Sequence, residues 1–157
     1  MNYNSNENNY FDTAEKRPLS YLSKEIKVHF STTSEIYNAV YENAFHPMYI
    51  GDGDGHILKS NEKLSRMLGY SAKELAGKES YKIFDINERA FLDFLIKRNN
   101  AGIAKAEITC IKKSRDKFPC RISSVIYKTD NGEKRSLNTI VDISQYVSNR
   151  QSLTYIY

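Results

Sequence analysis

Among the residues able to do chemistry, the two cysteines, Cys110 and Cys120, stand out first. They flank a turn at Lys113–Lys117. If that hairpin is symmetric about Arg115, the two thiols face each other across adjacent strands and share one face of the sheet. Such a pair could cycle between dithiol and disulfide or hold a soft metal. The competing reading is two small buried hydrophobes, and it is preferred because no cationic cluster nearby would generate a thiolate. Asp52-Gly53-Asp54-Gly55 has the opening rhythm of a calcium loop. That loop needs oxygen ligands at its later positions and a glutamate at its twelfth. His56 and Lys63 occupy the fifth and twelfth places, so the run reads as a hairpin turn. His46 and His56 read as hydrogen-bonded surface groups.

The elements that must position these residues follow from periodicity and punctuation. Residues 1–31 read as an extension: an Asn- and Ser-rich start that lacks aliphatic side chains, then a helix from Pro18 with Leu19, Leu22 and Ile26 on one face. Residues 32–144 read as one domain. Thr32–Glu35 is a capping box opening a helix through Ala44, ended by Pro47. Met48–Ile50 and Ile57–Leu58 flank Asp54-Gly55 as a hairpin. Ser60-Asn61 caps a helix with Leu64, Met67 and Leu68 inward, stopped at Gly69. Ser71–Glu74 is a second capping box, opening a single turn that ends at Gly77. Tyr81–Phe84 is an apolar turn, and Asp85–Glu88 caps a longer helix, Asn87–Asn99, that carries Phe91, Leu92, Phe94 and Leu95. From Ile103 the period falls to two, giving strands Ala104–Ile111, Phe118–Tyr127 and Ser136–Ile143. Residues 145–157 begin an exit helix. The result is an α+β domain, a five-stranded antiparallel sheet with helices on one face.

Composition narrows the function classes. The 157 residues carry a net charge of +4 and are 40% apolar, enough for one domain with a real core. Lys and Arg form no stripe, so direct nucleic-acid binding is not expected. No apolar run approaches a membrane span, and the N-terminus lacks the regions of a secretory signal. Two cysteines make no disulfide framework, which points to a reducing cytoplasm.

Asn61, Gly69-Tyr70, Glu74-Leu75 and Gly77, followed by Phe118-Pro119 and Asp142-Ile143-Ser144, resemble the PAS-domain signature in order and spacing. The resemblance spans Ser34 to Ser144 and implies a PAS fold, with a cavity between helices and sheet that holds haem, flavin, a metabolite or nothing. On strand parity, Cys120, Ile122, Ser124, Ile126, Asn138 and Ile140 face that cavity, with Tyr49, Leu68, Tyr81, Phe84 and Phe91 on the other side. Either a ligand contacts these residues or they fill the interior. FMN photochemistry in the light-sensing branch uses a cysteine in a motif where this chain has Lys78–Lys82. Haem in the oxygen-sensing branch hangs from a histidine on the long helix, which here has none. Neither cofactor is therefore expected. The turn before Phe118 departs from the family's Asp-Gly, with Ser114-Arg115 in its place, and Ser144 replaces the usual threonine. The resemblance implies a sensory module that takes a small molecule or a partner and signals through Asp142, Ile143 and Ser144 to an output domain. A homodimer through the N-terminal helices, beside Ile36 and Val40, would accompany it. A ligand-free dimerisation scaffold is the alternative. An enzyme is not expected, because Asn138, Ser124 and the cysteines offer no convincing general base.

Overall fold

The computed structural model describes Tyr41 and residues 44–154, all within the compact unit Tyr41–Tyr157. The helix carrying Leu19, Leu22 and Ile26, and the dimer contact assigned to it, lie outside the described residues. Chain order is β1 (Met48–Asp52), β2 (Ile57–Ser60), α1 (Glu62–Leu68), α2 (Ala72–Leu75), a 3₁₀ turn (Ser80–Ile83) and α3 (Arg89–Ala101). β3 (Ile103–Ile111), β4 (Lys117–Lys128), β5 (Lys134–Asp142) and α4 (Ser144–Thr154) complete it. The five strands form one antiparallel sheet in the order β2-β1-β5-β4-β3. The α+β class and the five-stranded sheet are as the sequence predicts.

One sheet face carries the core. Leu64, Leu68, Leu75, Ile83, Phe84, Phe91 and Phe94 from the helical segment pack on Ile108, Cys110, Phe118, Cys120, Ile122 and Ile140 from the strands. The helical segment also protects the free edge of β2, which would otherwise offer unpaired backbone to other chains. Gly77 N–H donates to Ile57 C=O at 2.7 Å, Lys78 C=O accepts from Ile57 N–H at 2.8 Å, and Ser80 N–H donates to Gly55 C=O at 2.8 Å.

Asn61 caps α1 as expected, its Oδ1 accepting from Leu64 N–H at 3.1 Å, but it does more. The same oxygen accepts from Met48 N–H at 3.0 Å, and Nδ2 donates to His46 C=O at 3.0 Å and Tyr41 C=O at 3.5 Å. This fully buried amide ties the entry to β1 to the start of α1.

Three local expectations are corrected. The long helix starts at Arg89 rather than Asn87, because the Glu88 carboxylate is spent on β3, accepting from Thr109 N–H at 2.9 Å and from the Thr109 hydroxyl. Leu92 faces solvent at 56% exposure, so the buried stripe is Phe91 and Phe94, with Leu95 packed beside them. The β3–β4 hairpin is centred one residue earlier than Arg115: Cys110 pairs with Phe118, and Cys120 with Ile108. The cysteines still share the buried face, but as diagonal neighbours. The turn explains the shift. Arg115 N–H donates to Lys112 C=O and Lys112 N–H to Asp116 C=O, each at 2.9 Å, with Arg115 at φ 77°. The β4–β5 turn repeats this geometry through Thr129, Gly132 and Glu133, with Gly132 at φ 80°. Both are three-residue loops ending in a left-handed residue, and Arg115 holds the position that suits glycine.

Candidate ligand-binding site

A cavity of about 280 Å³ lies between the β1–β2 turn, the 3₁₀ turn, the second half of α3 and the start of β5. Three features of local folding shape it. The hairpin turn is closed by Asp52, whose Oδ1 accepts from Asp54 N–H at 2.9 Å and His56 N–H at 2.8 Å, while Oδ2 meets His56 Nδ1 at 3.2 Å. Partial burial works to raise the Asp52 carboxyl, but these backbone donations and the imidazole outweigh it and hold the group below the ordinary aspartate range. Its oxygens are thus engaged in closing the hairpin turn formed by the Asp-Gly-Asp-Gly run. Among the described residues no cluster of three His, Cys, Asp or Glu is placed to hold a metal. Next, the Ser80-to-Gly55 hydrogen bond fixes the 3₁₀ turn against the hairpin, so that Ser80 and Tyr81 form one rim. Finally, α3 presents Phe91, Phe94, Leu95 and Arg98 at helical spacing toward the cavity.

Of the residues assigned to the site by sequence, Tyr49, Tyr81, Phe84 and Phe91 line this cavity, as does Ile126. Tyr81 does so at the rim, 45% exposed. Leu68, Cys120, Ile122, Ser124, Asn138 and Ile140 all sit on the inner side, but they belong to the packed interior beyond the cavity. The cavity instead reaches outward along β5 to Lys134, Arg135 and Ser136, and along α3 to Arg98 and Asn99. Ser136 joins the two zones, since its Oγ accepts from the buried Asn138 Nδ2 at 2.9 Å. A Cβ on Gly51, which faces Ser136 across the β1–β5 ladder, would stand 2.7 Å from that Oγ.

The polar atoms around the cavity are unevenly satisfied. Among the described residues, Arg98 Nε at the cavity is buried without a hydrogen-bond partner, as are Ser124 Oγ and Asn138 Oδ1 in the interior beyond it and Ser60 Oγ and Ser65 Oγ elsewhere. Ser124 and Asn138 are direct cross-strand partners on β4 and β5. The Arg98 guanidinium stacks 5.7 Å from the Phe94 ring centre. Burial pushes the Tyr49 phenol far above its usual range, against the lowering pull of the Arg98 charge and a hydrogen bond with Ser80. Tyr49 is thus a neutral hydroxyl beside a cation. The cysteines lie deeper: burial, then the hydrogen bond between them, push the Cys110 thiol far up, so no thiolate is poised there.

Sequence reasoning missed Arg98. A signal existed, because Arg98 falls seven residues after Phe91 and four after Phe94, a cation on an apolar helical stripe.

The exit is built from β5 onward. Asp142 Oδ1 accepts from Ser144 N–H at 2.9 Å and from the Ser144 hydroxyl, turning the chain into α4. Ile143 is buried and its N–H donates to Pro119 C=O at 3.1 Å. α4 itself buries no side chain. Polar contacts on the outer sheet face hold it: Tyr146 lies between Arg121 and Arg150, at 5.9 and 5.3 Å from its ring centre, and Glu107 pairs with Arg121 at 2.9 Å.

The family profile described as "PAS domain" matches residues 46–145. The chain belongs to the PAS domain family. Solved PAS domains agree with the fold. One from Colwellia psychrerythraea is 16% identical, with a TM-score of 0.65 over 73% of this chain and 99% of its own. The PAS domain of an HTR-like protein from Haloarcula marismortui is 22% identical, with a TM-score of 0.57 over 79% of this chain and 99% of its own. The PAS domain of a LuxR-family transcriptional regulator from Burkholderia thailandensis, solved with ethanol, is 15% identical, with a TM-score of 0.58 over 69% of this chain and 97% of its own. No curated protein matches the sequence. No helix among the described residues is long and apolar enough to cross a membrane.

Proposed function

We propose that this PAS domain is a sensory module whose cavity takes a small molecule and whose exit helix reports its presence to an output domain. The observation that carries the reading is Arg98 Nε, enclosed at the cavity without a hydrogen-bond partner among the described residues. Buried polar atoms are nearly always paired, so an unpartnered Arg98 Nε on the wall of a cavity is what a recognition site provides for a polar guest. The Burkholderia domain offers a parallel, in that it was solved with ethanol.

The relay follows β5. Ser136 lines the cavity and holds the Asn138 amide, and six residues beyond Ser136 the same strand ends at Asp142, whose carboxylate shapes the turn into α4. A guest that draws on Ser136, and through it on the Asn138 amide, shifts the strand that carries Asp142. Because α4 is held by the exposed Arg150–Glu107 pair at 3.9 Å and by the Tyr146 ring contacts, a modest bias suffices to reposition it. The guest acts only through different affinities for the two arrangements. A cytoplasmic homodimer, paired through the N-terminal helices and joined to a kinase, cyclase or transcription-regulator output, is the setting this reading requires.

The alternative, a ligand-free scaffold, draws on the outer sheet face, where Ile103 and Val125 are cross-strand partners at 52% and 43% exposure. Native mass spectrometry of protein purified from cells separates the two. The sensory reading expects a small-molecule adduct lost on denaturation, with hydrogen exchange across Asp142–Thr154 changing when the adduct is removed. Bare protein, with exchange in that segment indifferent to every small molecule offered, refutes it.

A further inference from the structure

Resting on the ligand-binding reading above, we infer that the guest is a small monocarboxylate with an apolar body, its carboxylate held by the Arg98 guanidinium. Arg98 makes no ion pair among the described residues, and its Nε is buried without a hydrogen-bond partner. The residue as a whole is half-buried, with Nε enclosed, and an arginine fork on a cavity wall matches the two oxygens of a carboxylate.

The acids nearby do not fill that role. Asp52 is committed to the hairpin turn and to His56, and Asp54 is exposed at the mouth. The other cations, Lys134 and Arg135, stand at the β5 rim, where Arg135 already meets Glu133 at 2.6 Å. The one cation of the cavity with an enclosed, unpartnered nitrogen is a single guanidinium, whose planar fork matches the two oxygens of a carboxylate. The Tyr49 hydroxyl, kept protonated by burial and beside Arg98, supplies a further donor. The cavity is also lined by Phe84, Phe91, Leu95 and Ile126, walls suited to an aliphatic or aromatic body. At about 280 Å³ the cavity lies just below the range of roughly 300–1,000 Å³ that suits drug-sized ligands.

Calorimetric titration of the full chain tests this with hexanoate and phenylacetate, each against its primary amide, and with phenyl phosphate. The acids should bind at least about tenfold more tightly than the amides, a gap of about 1.4 kcal/mol. Arg98→Gln should bring the acids down to the affinity of the amides, while Arg98→Lys keeps part of the preference. Melting curves establish that each variant folds, and the acid-to-amide comparison in the unaltered protein stands even if a variant does not. Amides binding as well as acids, a preference that survives in Arg98→Gln, or phenyl phosphate binding more tightly than phenylacetate each overturns the carboxylate assignment, yet leaves the cavity as a ligand site. Failure of every probe to bind at millimolar concentration overturns both.

Discussion

Replacing Asn61 with alanine should cost this domain about 3 kcal/mol, far more than the loss of a helix cap. The cap alone accounts for about 1 kcal/mol. The rest comes from what the side chain does beyond α1. Its Oδ1 also accepts from Met48 N–H at 3.0 Å, and its Nδ2 donates to His46 C=O at 3.0 Å. In Asn61→Ala the Met48 donor loses its partner at a position closed by neighbouring chain, at about 1–3 kcal/mol for a buried group. The two carbonyls lose a shared donor as well. Asn61→Ser separates these contributions, since a serine can cap α1 but is too short to reach Met48 as well, and should cost about 2 kcal/mol. The protein lacks tryptophan, so urea unfolding is best followed by far-ultraviolet circular dichroism. With slopes of about 1–3 kcal/mol per molar urea, Asn61→Ala should lower the midpoint by about 1–3 M with the slope unchanged. A loss below about 1 kcal/mol, or Asn61→Ser as damaging as Asn61→Ala, would refute the dual role.

Arg115 occupies the left-handed region at φ 77°, where Gly132 sits in the matching turn, so Arg115→Gly should stabilise the domain by about 0.5–1 kcal/mol after the entropic cost of glycine. Arg115→Ala should show no gain, and a gain equal to that of glycine would remove the backbone explanation. The buried Cys110 thiol resists ionisation in the folded state, whereas the unfolded chain releases its proton above about pH 8.5, so stability should fall with rising pH there, with up to about 1.4 kcal/mol per pH unit from this group. In Cys110→Ala the decline below about pH 10 should flatten, and an unchanged slope between pH 8.5 and 10 assigns it elsewhere. Tyr146→Ala should release α4, speeding hydrogen exchange across Ser144–Thr154 while changing global stability by less than about 1 kcal/mol, since the helix buries no side chain. Unchanged exchange in α4 would mean that something other than the Arg121–Tyr146–Arg150 stack holds it.

The fold was legible because local signals agreed with one another. Ser71 and Glu74 form the capping box their spacing announces, with Ser71 Oγ accepting from Glu74 N–H at 3.1 Å and Glu74 Oε2 from Ser71 N–H at 2.9 Å. Gly69 ends α1 at φ 78°. Where a side chain reached beyond its own element, the local reading failed. Glu88 looks like the end of a capping box, but its carboxylate crosses to Thr109, and α3 loses the side-chain cap that would have begun it earlier. The β3–β4 register slipped for a related reason: symmetry places the centre of a turn, but not which residue in it will take a left-handed backbone.

The site was legible by face and not by depth, and the distinction is physical. Alternation along a strand fixes which side of the sheet a residue occupies. It put Cys120, Ile122, Ser124, Asn138 and Ile140 on the inner side, and there they are. Whether an inner residue meets a cavity or another side chain depends on the volumes packed opposite it. Phe94 and Leu95, with Phe91 and Phe84, decide that here, and they stand on segments whose approach to the sheet no period encodes. The interior under α1 and α2 closes over Leu64, Leu68 and Leu75, while the space between α3 and β5 stays open as far as Arg98 and Ser136. Depth also sorts the chemistry. The cysteines lie where burial silences a thiol, and the cation that lines the cavity, Arg98, sits at the far end of a helix whose sequence signal is its aromatic residues. In this domain, then, the cation in register with a buried aromatic stripe marks where the packed core stops and the cavity begins, because a guanidinium keeps a reach to solvent or a partner that a hydrophobe does not need.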